Sequence, residues 1–183
     1  MYRSAVTAGN TKIWNNTVVD NQVGIWVYDD PRYPGQNPDV EVNTQNVQVV
    51  NNVVSEDQTF LAKSSAPSTN VAENNQPKQF YSRFDFNAYD RETNATQILH
   101  MWDQQGGGIA YRSVPSFTGA WGYDAHAIDV AGGGDPFFVN KAEGDYRIRS
   151  DSPAFDSGAP LPADIADLVG LQSGAVISRG YLP

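Results

Sequence analysis

No cysteine occurs among the 183 residues, which excludes disulfides, thiolate metal sites and a cysteine nucleophile at once. Basic residues are scarce: 12 Lys and Arg stand against 21 Asp and Glu, a net charge of −9, and no Lys/Arg cluster offsets it. Such a surface repels phosphate backbones, so nucleic acid is not an expected partner. Charged residues of both signs reach only 18%, below the usual quarter. The polar surface must therefore come from Asn, Gln, Ser and Thr. No apolar run approaches the roughly 18 residues that span a bilayer, so no membrane span is expected. Met1 to Asn10 lacks the basic-then-apolar order of a signal peptide.

What is present is a turn-rich β composition, with 40% hydrophobic residues, 16 Gly and 11 Pro. It is also repetitive. Ile13-Trp14-Asn15-Asn16-Thr17-Val18-Val19 is echoed by Val49-Val50-Asn51-Asn52-Val53-Val54, 36 positions on, and Asn87 in Phe84-Asp85-Phe86-Asn87 lies another 36 beyond Asn51. Between these, Ile25, Leu61 and Gln97 mark a second strand at the same interval of 36. Strands are expected near 12–19, 24–28, 47–54, 60–63, 84–89, 96–100 and 126–130. Ile13, Val18, Ile25, Val27, Val49, Val53, Leu61, Phe86, Ile98, Ile128 and Ile148 are expected inside. Asn15, Asn51 and Asn87 read as one turn position, where asparagine tolerates a left-handed backbone and can bond to the next repeat. Short strands in register with no crossover helix imply a solenoid whose coils share one core. Long loops enter at about 29–44, 63–79 and 104–119.

Asn-Asn-Thr-Val-Val at 15–19 before Gly24-Ile25, then Asp85-Phe86-Asn87-Ala88-Tyr89, resemble coils of right-handed parallel β-helix proteins of the pectate-lyase-like superfamily. Asp124-Ala125-His126, Asp135-Pro136-Phe137-Phe138-Val139, Gly144-Asp145-Tyr146-Arg147-Ile148 and Ser152-Pro153-Ala154-Phe155-Asp156-Ser157-Gly158 resemble the closing coils of bacterial extracellular members. The resemblance implies an all-β chain: a single-stranded solenoid with long inserted loops, one domain over 1–183. Its coils would occupy about 12–158, with a C-terminal capping tail at 159–183. It implies an extracellular or cell-surface protein associated with polysaccharide, lyase-like or glycosidase-like or a glycan-binding remnant. The rival reading is a non-catalytic structural or adhesive surface protein. The chain starts almost at a coil, so either upstream coils or end-to-end self-association are expected to cover that edge.

Lyase chemistry needs a base beside the substrate carboxylate and a cation for the enolate, and glycoside hydrolysis needs two carboxylates. The candidates are Lys63, Asp85, Arg91, His100 and His126, with Arg83 as a further cation and Asp90, Asp103, Asp29 and Asp30 as further carboxylates. Each of these also serves as an ordinary surface or turn residue. Trp102 and Trp121 flank the glycine-rich loop and are the candidate sugar platforms, whereas Trp14 and Trp26 read as strand packing. No metal site is expected from spacing. Asp29, Asp30, Asp39 and Glu41 are a possible Ca²⁺ cluster without the regular loop pattern.

Overall fold

The structure, a computed structural model, describes residues 9–28, 44–55, 60–66, 80–91, 97–104, 107–132 and 134–180, and for 60–66, 103, 104 and 107 the backbone alone. Its local logic starts at three residues. Asn15, Asn51 and Phe86 have φ of 55°, 60° and 60°. A left-handed residue breaks the pleat, so each expected strand at 12–19, 47–54 and 84–89 becomes two. Lys12–Trp14 (β1) is followed by Thr17–Val19 (β2), and Val47–Val50 (β4) by Val53–Ser55 (β5). Tyr81–Asp85 (β7) is followed by Ala88–Arg91 (β8). Val23–Tyr28 (β3), Phe60–Ala66 (β6) and Ile98–Gln104 (β9) supply a third strand to each repeat.

Equivalent strands pair in parallel. Ile13 stands opposite Val49 and Val49 opposite Phe84; Val18 opposite Val54 and Val54 opposite Tyr89; Ile25 opposite Ala62 and Ala62 opposite His100. From Gln48 onward the second interval is 35 residues, where the first is 36, so Asn87 aligns with Asn52 rather than Asn51. The position shared by Asn15 and Asn51 is taken in the third repeat by Phe86. The expected Asn15–Asn51–Asn87 equivalence is thereby corrected.

The single all-β solenoid is corrected too. The described strands form four separate sheets: β1-β4-β7, β3-β6-β9 extended by Gly107–Tyr111 (β10), β2-β5-β8 extended by Ile128–Ala131 (β11), and Phe138–Asn140 (β12) with Asp145–Ile148 (β13). β9–β10 and β12–β13 are antiparallel. Among the described residues, two α-helices, Val114–Trp121 (α1) and Ala163–Val169 (α2), join these strands in a mostly-β fold. The physical reason is local. β10 packs tightly against β9: a Cβ on Gly108 would stand 2.2 Å from Met101 Cε. Ser113 then accepts from Ser116 N in a capping box, with proline in the first turn, and starts a helix inside the stretch at 104–119 that was expected to be a loop.

Three apolar clusters result. One lies between the parallel sheets and contains Ile25, Val27, Val49, Val54, Phe84, Tyr89, Leu99, Trp102 and Phe117. A second holds Trp14 and Val50 against Ala159, Leu161, Ala166 and Ile177 of the C-terminal segment. A third holds Val53 and Ala88 against Phe137, Phe138 and Ala154. Val53 is thus buried beneath the β12–β13 pair, and its neighbour Val54 points between the sheets. Leu99 is fully buried while Ile98 is half-buried, as are Ile13, Val18, Phe86, Ile128 and Ile148. The side chain of Leu61 lies outside the described residues.

Candidate acid–base site

The polar interior is a ladder. Asn16 N and Nδ2 both donate to Asn52 Oδ1, at 3.0 Å each. Asn52 N and Nδ2 donate to Asn87 Oδ1 at 3.2 and 3.0 Å, and Asn87 N and Nδ2 donate to Asp124 Oδ1 at 3.3 and 3.1 Å. The spare Nδ2 protons reach the backbone, Asn52 to Ile13 O and Asn87 to Val49 O. Asn52, Asn87 and Asp124 are all buried, so each bond replaces a lost hydration. The last member is an acid. Asp124 Oδ2 also receives the Tyr89 hydroxyl. Burial outweighs these bonds and raises the Asp124 carboxyl to about 7; burial first, then the Asp124 charge, pushes Tyr89 well above the usual phenol range.

Asp124 opens the turn that carries His126. Its N–H donates to Phe84 O at 2.7 Å, and its carbonyl accepts Ala127 N at 3.1 Å. Asp85, at the end of β7, meets that turn. Asp85 Oδ1 accepts the N–H of Phe86 and of His126, both at 2.9 Å, and Oδ2 lies 2.8 Å from His126 Nδ1. The His126 side chain is 62% exposed and that of Asp85 20%. A carboxylate on Nδ1 fixes the tautomer that leaves Nε2 as the proton acceptor, here on the solvent-facing ring. The imidazole stacks on Phe86 at 4.5 Å between centroids and 15° between planes. Arg83 lies 5.8 Å and Arg179 5.5 Å from the same Phe86 ring. Arg179 is buried and clamps the site from behind, donating to His126 O at 2.8 Å and Asn87 O at 3.0 Å. Burial lowers its pKa, opposed by the carboxylates of Asp124 and Asp85.

Of the residues singled out from sequence, Asp85 and His126 are brought together, with Arg83 beside them. The others are elsewhere. Arg91 is buried and bonded to both oxygens of Asp129, at 2.7 and 2.6 Å, and to Arg112 O. His100 is buried, stacked on Phe117 at 4.3 Å, and burial lowers its pKa to about 3, so it stays neutral and away from water. Lys63 pairs through its backbone in register with Trp26 and Met101, and its side chain lies outside the described residues. Trp102 is only 2% exposed, and Trp121 covers it in a parallel stack at 5.2 Å. Trp102 thus offers no face to a sugar, whereas Trp26 is 52% exposed. Asp90 is buried against Ser55 Oγ at 2.8 Å. Asp29, Asp30, Asp39, Glu41 and the Asp103 side chain lie outside the described residues, among which no group of three or more metal-ligating side chains is assembled. No described helix is long and apolar enough to cross a membrane.

Phe86, Asp124 and Arg179 were not foreseen. Asp124 stood in a recognised segment, but nothing in that segment signals that it ends an asparagine ladder. Arg179 reaches Asn87 across 92 residues, a separation no local pattern reveals.

Comparison with protein-family models, curated proteins and solved structures finds no match to this chain.

Proposed function

We propose that this chain is a carbohydrate-associated surface protein, and that the Asp85–His126 pair is its acid–base centre, acting on a uronate-bearing polysaccharide in the manner of a lyase. The observation that carries the reading is the 2.8 Å contact between Asp85 Oδ2 and Nδ1 of a solvent-facing imidazole. His126 Nε2 takes the proton on the carbon beside the sugar carboxylate; the electron pair left behind forms the double bond of the unsaturated product as the glycosidic C–O bond on the adjacent carbon breaks, and the leaving oxygen takes a proton from water or from the imidazolium. Arg83, a partly exposed guanidinium that shares the Phe86 ring with His126, offsets the charge that develops on that carboxylate. A glycosidase reading is weaker, because the second nearby carboxylate, Asp124, is fully buried and belongs to the ladder.

The test is a panel of uronate polysaccharides, with absorbance of the unsaturated product as readout. His126→Ala and Asp85→Asn are expected to lower the rate by about 10²–10⁴ with unchanged melting temperature. No product from any member of the panel, or full activity in His126→Ala, sinks the reading.

One observation favours the non-catalytic alternative. Asp85 Oδ1 accepts two backbone N–H groups, of Phe86 and His126, so the carboxylate also staples a strained turn. On that reading, Asp85→Asn lowers stability and no polysaccharide is turned over.

A further inference from the structure

One face of the sheet β1-β4-β7 carries hydrogen-bond donors that the fold does not use. Lys12 stands opposite Gln48 and Gln48 opposite Arg83, so the three share a face on neighbouring strands about 4.8 Å apart. It is the outer face. Ile13, Val49 and Phe84, one position on in each strand, pack in the cluster between the parallel sheets. Gln48 and Arg83 are both half-exposed.

Both donors are oriented. An indole N–H can only donate, and Trp14 Nε1 lies 3.1 Å from the Gln48 amide, so the atom it meets is Oε1 and Nε2 is left for another partner. The Arg83 guanidinium carbon lies 5.4 Å from the centre of the Trp14 ring and 5.8 Å from that of Phe86. Contacts with ring faces hold the cation and use none of its N–H groups. Among the described residues, neither the Arg83 guanidinium nor Gln48 Nε2 has an acceptor, and Arg83 has no carboxylate partner. The acids nearby are engaged elsewhere. Asp85, two residues beyond Arg83, gives one oxygen to the N–H groups of Phe86 and His126 and the other to the imidazole. Asp164 holds Lys12. In a chain with 21 acidic residues against 12 basic, this guanidinium is left to an acid from outside.

We propose that Arg83 and Gln48 form a subsite for one oxyanion of an acidic saccharide, a carboxylate or a sulfate ester, beside the exposed imidazole of His126. The guanidinium supplies two parallel N–H groups to two oxygens, and Gln48 Nε2 adds a third donor. His126 and Arg83 both lie against Phe86, so an acid group held here stands beside the proton-accepting ring. That a saccharide carries the anion rests on the function proposed above; that the subsite takes an anion does not. The feature that selects the ligand is then its free acid group rather than its sugar ring.

The probes are trigalacturonate, its fully methyl-esterified counterpart and sodium sulfate. Each is titrated at low ionic strength into isotope-labelled full chain and followed by NMR of the side-chain N–H groups. Trigalacturonate is expected to shift the Arg83 Nε and Gln48 Nε2 signals. The neutral ester keeps the rings and loses the charge, and should bind about tenfold or more weaker, the loss of charge-assisted hydrogen bonds. Arg83→Gln should weaken trigalacturonate by a similar factor, and Arg83→Lys should recover only part of it, because an ammonium lacks the planar fork. The acid–ester comparison uses the unaltered chain and stands even where a variant folds poorly. Displacement of trigalacturonate by sulfate assigns the subsite to either oxyanion; binding that sulfate does not displace assigns it to the carboxylate. Equal binding of acid and ester, shifts confined to another surface, or no binding of either anion at millimolar concentration overturns the proposal. Binding without unsaturated product supports the subsite and counts only against the lyase step. Product formed by Arg83→Gln at an unchanged KM counts against the subsite.

Discussion

Replacing Asp124 by asparagine is expected to stabilise the protein above neutral pH and to leave it almost unchanged near pH 4. The Asp124 carboxyl is raised from 3.8 to about 7 in the folded chain. Between those values the folded state keeps a proton that the unfolded chain has lost, so stability falls as pH rises. Each unit costs about 1.4 kcal/mol, and the interval of roughly three units costs about 4 kcal/mol in all. That penalty is fully imposed above about pH 7. Asparagine escapes it and keeps the ladder: its Oδ1 accepts from Asn87 as the carboxylate does, its Nδ2 can donate to the Tyr89 oxygen, and it tolerates the φ of 55°.

His100 pulls in the opposite direction. Its pKa is lowered from 6.5 to about 3, so the unfolded chain binds the extra proton and stability rises with pH across that window. The two slopes are of similar size and opposite sign between about pH 4 and 6.5, and the wild-type profile should be nearly flat there. Asp124→Asn removes one slope and exposes the other. Its stability should climb by about 1.4 kcal/mol per pH unit from pH 4 to 6.5 and then level off. Urea unfolding followed by tryptophan fluorescence at pH 4.5, 5.5, 6.5 and 7.5 measures both profiles. A wild-type-to-variant difference that stays constant within about 1 kcal/mol over that range refutes the assignment of a neutral, buried acid.

Three other substitutions follow from the packing. Asn52→Ala takes away the acceptor of the Asn16 N–H and Nδ2, the donor to Ile13 O and one of the two donors to the buried Asn87 Oδ1, and should cost about 1–3 kcal/mol in urea unfolding at pH 5, against well under 1 kcal/mol if the ladder bonds are replaced by water. Leu99→Ala empties a site of zero exposure between the sheets and should cost about 2–5 kcal/mol, where Ile98→Ala, on a half-buried position, costs less; equal losses contradict the assigned faces. Gly158→Ala brings a Cβ to 2.7 Å from Ile177 O and 3.1 Å from the Asn51 amide, so the C-terminal segment must shift, at about 1–3 kcal/mol, and a melting temperature equal to wild type contradicts the close approach.

Much of the strand content was legible in the sequence because apolar residues recur on both sides of Asn15-Asn16 and Asn51-Asn52, but the break that each left-handed residue imposes was not. Val49, Ile25 and Val27 proved buried for the reason their alternation suggests. The facing of Val53 was not legible. In a run such as Val53-Val54, both neighbours are apolar, and only the packing of Phe137 and Phe138 on the outer surface decides that both are buried, on opposite sides. The departure from a uniform solenoid is equally a matter of context. A short apolar stretch such as Gly107–Tyr111 has no intrinsic pairing direction, and here it runs antiparallel beside β9. Ser113 followed by Val114-Pro115 did carry a helix-start signal, and it lay inside a segment read as loop.

The site was half visible for a related reason. Residue type and position identify groups able to take a proton, but the environment decides which of them meets water, and two histidines of one chain show the difference. His100 lies on a strand buried on both faces, where Phe117 and Trp102 strip its hydration and hold it neutral. His126 lies in a turn, where Asp85 can reach Nδ1 without burying the ring. The turn is held by Asp124 beneath and Arg179 behind, and both owe their place to contacts many residues distant. Phe86 closes the argument. It occupies a left-handed position that its two counterparts fill with asparagine, at a steric cost a bulky residue rarely accepts. In return its ring carries the imidazole and lies within 6 Å of two guanidiniums, contacts that an asparagine side chain cannot make. Strain sits where the repeat gives way to the candidate site, and the one departure from asparagine in that row marks the place.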